Sequence, residues 1–148
     1  MNAIDKTARS QTESISFEFD LHHSPEKVWR ALTDPVLLAE WLLPVVDLKL
    51  DPGAVFTFNT QPYPGWDGIV NCRILEIEAQ KKISYTWVVG DMVLDTVVTF
   101  SLAPTASGTR LSLMQSGFKP DQKKNFGGAR YGWKMMGGKL VDLLGRIA

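Results

Sequence analysis

Aromatic residues at alternate positions are the clearest chemical signal in this chain. Phe56 and Phe58, Tyr85 and Trp87, and Phe100 each sit in phase within an apolar stretch, and Trp133 lies in a stripe of helical period. On one common face they would form an apolar wall. Few polar groups share that phase: the Tyr85 hydroxyl, the Trp87 indole, Thr96, Gln115 and Arg73. An apolar wall with a few polar groups to orient the occupant is the general design of a small-molecule site. Met136 and Leu140 extend the wall along the helix. Trp66 and Tyr63 belong to a loop with two prolines, suited to a lid or mouth. The same pattern also describes an ordinary core, and several strands are apolar on both faces, which leaves the phase open.

Other chemistries find less support. His22 and His23 are the only histidines. Neighbours on a strand point to opposite faces, so the two cannot serve one substrate as a pair. Cys72 has no partner motif, and a metal site needs three or four ligands, so no metal and no other cofactor is expected. Ser116-Gly117 is not a nucleophile elbow, and no glycine-rich phosphate loop follows a strand. With no convincing acid or base, no residue is assigned to catalysis, and binding is expected rather than turnover. Gly127, Gly128, Gly132, Gly137 and Gly138 are unusual for a helix, where each costs about 1 kcal/mol against alanine. Close packing on a sheet accounts for them, or room for a ligand.

These residues need a scaffold. Residues 1–13 are polar and read as a mobile tail ahead of a single domain at 14–148. Ser14 to Leu21 alternates as a half-buried strand. Ser24-Pro25 and Asp34-Pro35 are two helix starts, because serine or aspartate caps and proline fits the first helical position. The helices bring Val28, Trp29, Ala31 and Leu32, then Leu37, Leu38 and Trp41, to their apolar sides. Six strands follow, over Val45–Leu50, Ala54–Asn59, Trp66–Glu78, Lys81–Val89, Met92–Ala103 and Thr109–Phe118, joined by turns such as Asp51-Pro52-Gly53 and Gly90-Asp91. Phe126 to Ile147 has a helical period, with Trp133, Met136, Leu140, Leu143, Leu144 and Ile147 in one stripe. Such a helix is about 30 Å long, enough to cross a sheet. A curved antiparallel sheet of seven strands gripping one long helix is the α+β architecture this order requires, and it leaves a gap between sheet and helix.

The totals bound the partners. Hydrophobic residues are 45% of 148, enough for a core. Sixteen basic residues balance sixteen acidic ones, which argues against nucleic acid and against an anionic membrane surface. No apolar run approaches the roughly 18 residues of a membrane span. The N-terminus has no apolar segment of a signal peptide, and one cysteine fits a reducing compartment, so a cytoplasmic location is expected. The chain is expected to be a monomer or a homodimer.

The chain resembles the helix-grip fold of the START and Bet v 1-like superfamily, and within it the family named for the activator of heat-shock protein 90 ATPase. The residues that carry this are Pro25–Trp41, Gly53 with Phe56, Gly68-Ile69-Val70 with Glu76, Ile83–Trp87, Val98–Leu102, Gly108–Leu113, Ser116–Phe118 and Gly132-Trp133. The resemblance spans the whole domain. It implies fold more than function, since the superfamily holds carriers, cyclases, hydrolases, chaperone activators and stress regulators. A protein that holds a hydrophobic or aromatic small molecule is the primary expectation. The alternatives are a chaperone co-factor that stimulates an ATPase, and a cyclase or hydratase in which Tyr85, Gln115 or Arg73 steers protons. The eukaryotic activators carry a further N-terminal domain, for which residues 1–13 leave no room, so the chaperone role is expected to be the lesser one.

Overall fold

The computed structural model describes residues 3–7, 14–62, 64, 66–90 and 94–148. The elements are β1 (Ala3–Asp5), β2 (Ser14–Leu21), α1 (Pro25–Thr33), α2 (Pro35–Trp41), β3 (Val45–Val46), β4 (Val55–Asn59), β5 (Ile69–Glu78), β6 (Lys82–Val89), β7 (Leu94–Pro104), β8 (Thr109–Ser116) and α3 (Lys123–Arg146). One antiparallel sheet runs β1-β2-β8-β7-β6-β5-β4-β3. Among the described residues it has eight strands where seven are expected. The added strand, β1, lies within the segment expected to be a mobile tail: Ala3 to Asp5 pair with Phe19 to Phe17. Asp5 ties it down further, through Arg130 at 2.6 Å and the Thr7 N–H at 2.9 Å. Burial opposes the Asp5 charge, yet these donors hold its carboxyl below the ordinary value. β3 is shorter than expected; Leu48 to Leu50 leave the sheet.

The corner between the short helices follows from its caps. The Ser24 hydroxyl accepts from the Lys27 N–H at 3.2 Å. Asp34 serves both helices: its N–H reaches the Arg30 carbonyl at 2.9 Å and closes α1, while its carboxylate accepts from the Val36 N–H at 2.9 Å and opens α2. The Trp41 indole donates to the Ala31 carbonyl at 2.8 Å, so the two helices are joined across the corner. Trp41 is 2% exposed and meets Phe100 edge-on at 6.2 Å. Trp29 packs against the core from the rim.

Helix α3 covers the concave face. Trp133, Leu140, Leu143 and Leu144 are buried beneath it, as the helical stripe predicts. Gly137 explains how close it comes: a Cβ there would lie 2.7 Å from two ring carbons of Phe19 on β2. This glycine is a packing residue. Gly68 is required for a different reason, a φ of +81° with the Thr60 carbonyl where a side chain would stand. By contrast, a Cβ added at Gly138 would meet nothing within 4 Å.

The two neighbours on α3 should therefore respond oppositely to alanine. Gly137→Ala forces Phe19 or the helix to move, an overpacking cost of about 1–3 kcal/mol. Gly138→Ala gains helix propensity of about 1 kcal/mol. Thermal denaturation is expected to show a lower Tm for the first and a higher Tm for the second.

Candidate functional site

Strand alternation decides which side chains reach the grip. On β4, Phe56 and Phe58 turn inward; on β5, Val70, Cys72 and Ile74; on β6, Ile83 and Tyr85; on β7, Thr96, Val98 and Phe100; and on β8, Leu113 and Gln115. Phe56, Phe58, Tyr85, Phe100, Trp133 and Leu140 are all nearly inaccessible. Their rings form one connected set. Tyr85 touches Phe56 at 5.2 Å, Phe58 at 6.0 Å and Phe100 at 6.2 Å between centroids. Trp87 bridges Phe58 at 5.4 Å and Trp133 at 5.5 Å, and Trp133 reaches Phe100 at 6.0 Å. Offset and edge-on contacts of this kind each contribute about 0.5–1.5 kcal/mol beyond burial. The gap expected between sheet and helix is filled here by these rings. Trp66, Trp87 and Met136 are the half-buried members.

A polar chain crosses this apolar interior. The Trp133 indole donates to Gln115 Oε1 at 2.7 Å, and Gln115 Nε2 donates to Thr96 Oγ1 at 2.9 Å. Thr96 in turn donates to the Trp87 carbonyl at 2.8 Å. Gln115 and Thr96 are each 1% exposed. Two of the groups expected to orient a bound molecule are thus engaged with the protein itself. The Trp87 indole and the Tyr85 hydroxyl differ: neither forms a hydrogen bond with a described residue, yet the Tyr85 hydroxyl is not sealed from solvent, since Thr105 Oγ1 is the one fully buried side-chain polar atom without a partner among the described residues. Burial, reinforced by the nearby Cys72 thiol, pushes the Tyr85 pKa well above the usual phenol range.

Not every expected residue joins this site. Arg73 is outside it: alternation puts Cys72 and Ile74 inward, so Arg73 faces solvent, donating to the Gly53 carbonyl at 3.3 Å. Trp66 packs at the margin, its indole donating to the Ile69 carbonyl at 3.1 Å. Tyr63 lies outside the described residues. Cys72, which only the alternation of β5 marks, does join the face, opposite Phe56 in register. Burial raises the pKa of its thiol far above the ordinary value. His23 sits away from this face beside Lys27, with Nδ1 3.1 Å from the ammonium. Partial burial, Lys27 and His22 together lower the His23 pKa. Among the described residues, no group of three or more His, Cys, Asp or Glu is arranged to hold a metal.

A second concavity was not legible in the sequence. An open groove of about 710 Å³ runs between α3 and the β1–β2 edge, with Phe17 and Phe19 on its floor and Asp5, Lys134, Met135, Lys139 and Asp142 around them. It exists because β1 extends the sheet past the helix.

Two measurements test the interior. Gln115→Leu leaves the Trp133 N–H without a partner and is expected to cost about 1–3 kcal/mol in denaturant unfolding. Pairing it with Trp133→Phe is expected to cost less than the sum of the two single changes, since no donor is then stranded. Cys72 is expected to resist an aromatic disulfide reagent at mildly alkaline pH in the native protein and to react at once in denaturant; rapid native labelling would contradict its burial.

Helix α3 seated on a curved antiparallel sheet, with two short helices at one end, is shared by solved structures. Protein MLL2253 from Mesorhizobium loti is 41% identical, with a TM-score of 0.84 over 91% of this chain and 98% of that one. Protein CV1439 from Chromobacterium violaceum is 28% identical, with a TM-score of 0.74 over 90% and 98%. CalU16 from Micromonospora echinospora, at 21% identity and a TM-score of 0.73 over 97% and 84%, shares the fold. No curated protein matches. The model of the family described as activator of Hsp90 ATPase homolog 1-like protein matches residues 22–145, all but the N-terminal edge and the last residues. The chain belongs to that family.

Proposed function

We propose that this protein binds a small, largely apolar molecule between α3 and strands β4 to β7. The observation that supports this most is the Tyr85 hydroxyl. A phenol enclosed by rings normally has a hydrogen-bond partner. Here it has none among the described residues and keeps only a trace of solvent contact, the Trp87 indole also lacks one, and the neighbouring Gln115, Thr96 and Trp133 satisfy one another. A ligand with one acceptor on an apolar body would supply that partner. In the present arrangement the rings touch, so such a ligand displaces the half-buried Trp87 and Met136 rather than the anchored Trp133. Binding of this kind costs the separation of ring contacts, and the apolar surface of the ligand offsets it.

Catalysis has less support than binding. Tyr85 and Cys72 both have pKa values raised by burial, so neither is a ready base at neutral pH. The chaperone co-factor reading rests on the family name. Measurement of the ATPase rate of a cognate chaperone at saturating protein decides it.

A thermal-shift panel of aromatic and alicyclic compounds, half with a carbonyl or ether acceptor and half pure hydrocarbons, tests the proposal. Acceptor-bearing compounds are expected to raise Tm, and Tyr85→Phe is expected to weaken them by about tenfold while leaving hydrocarbons unchanged. Failure of every compound to bind, with native mass spectrometry in agreement, would remove the proposal.

A further inference from the structure

We infer that the outer face of α3 is a docking surface for an anionic lipid bilayer. The argument starts from where the charge lies. The chain is neutral, with sixteen basic and sixteen acidic residues. Yet α3 holds six basic residues, Lys123, Lys124, Arg130, Lys134, Lys139 and Arg146, against the single acid Asp142. The remainder of the chain therefore carries a matching excess of acid. Net charge of zero is a sum over unlike faces. Arg130 is paired with Asp5, and Arg146 with Glu40. The four lysines of α3 form no ion pair with any described residue, and all are exposed.

The shape of this face distinguishes its partner. Helical spacing sets Lys124, Gly128, Tyr131, Met135, Gly138 and the exposed Asp142 in one outward strip, with Lys134 on one flank and Lys139 on the other, so the one acid of the helix stands at the C-terminal end of the strip. Tyr131 is 66% exposed and Met135 51%, both large and apolar, with Lys124, Lys134 and Lys139 around them and Asp142 one turn beyond Gly138. Gly128 and Gly138 add no side chain to the strip, and nothing stands within 4 Å of a Cβ added at either. The helix has 24 residues and is about 36 Å long. A straight rod with lysines on both flanks and an amphipathic aromatic between them suits the plane of headgroups and the acyl boundary just below. The phosphates of a nucleic acid would satisfy the lysines but leave Met135 without a complement. Next to Met135 the groove opens over the edges of Phe17 and Phe19, with Asp5 and Asp142 as well as Lys134 and Lys139 in its lining.

Co-sedimentation of the full chain with phosphatidylcholine vesicles tests this, with and without about one-third phosphatidylserine. Binding is expected only with the anionic lipid, and is expected to fall at least about tenfold when salt rises from about 0.05 to 0.5 M. The triple variant K124E/K134E/K139E is expected to lose binding. The variant K49E/K81E/K82E, with the same change in net charge elsewhere, is expected to lose less. Y131A/M135A is expected to weaken binding at constant salt sensitivity. Circular dichroism confirms that each variant is folded. The inference is overturned if anionic vesicles fail to bind at low salt. It is equally overturned if the two triple variants lose binding alike, or if a DNA duplex or polyglutamate competes for the strip while vesicles do not.

Discussion

The seating of one helix on one curved sheet governs this molecule. Trp133 is the point of attachment. Its ring lies between Trp87 and Phe100, and its indole N–H is held by Gln115, which is held by Thr96. Apolar contact alone would let a helix slide or rotate on a sheet, since burial is not directional. A buried donor with a single acceptor is directional, because any shift that breaks it strands a polar group away from water. Gly137 supplies the complementary condition, a place where the helix backbone can rest against Phe19.

That attachment also divides the molecule's surfaces. With its apolar stripe committed to the grip, α3 presents its lysines, Tyr131 and Met135 outward. The inner face offers the Tyr85 hydroxyl and the Trp87 indole as ring polar groups without a hydrogen bond among the described residues. The outer face carries the charge that the composition conceals. The proposed apolar ligand inside and the proposed anionic bilayer against the outer face are compatible, since apolar metabolites partition into bilayers.

Much of the fold can be read from the chain by particular residues. Ser24-Pro25 and Asp34-Pro35 mark both short helices because caps and proline act locally, and the structure shows Asp34 closing one helix and opening the next. The paired aromatics reveal β4 and β6, and Phe100 with its in-phase apolar neighbours reveals β7, because alternation survives wherever one face is buried. β1 escaped notice because three residues carry no period; it exists only through pairing with β2. Val45 to Leu50 looked like a strand but leaves the sheet after Val46, since the chain there is at an edge with one neighbour. Arg73 shows the cost of an open phase: its neighbours Cys72 and Ile74 took the inside, and a one-residue step on a strand reverses the face.

Local chemistry thus settled the boundaries of the two short helices, the order of the elements from β2 onward and the set of aromatics that meet, but not β1 or the first turn of α3, which begins at Lys123 rather than Phe126. What was settled depends on contacts within a few residues, or on a period that burial imposes on each strand separately. Whether those aromatics enclose space or fill it was beyond any such reading. That depended on how closely α3 approaches the sheet, which Gly137, Phe19 and the Trp133–Gln115 bond fix together across more than a hundred residues of chain. The groove at the β1–β2 edge arises in the same way. Distances between elements are set by packing, and packing joins residues that the sequence keeps apart.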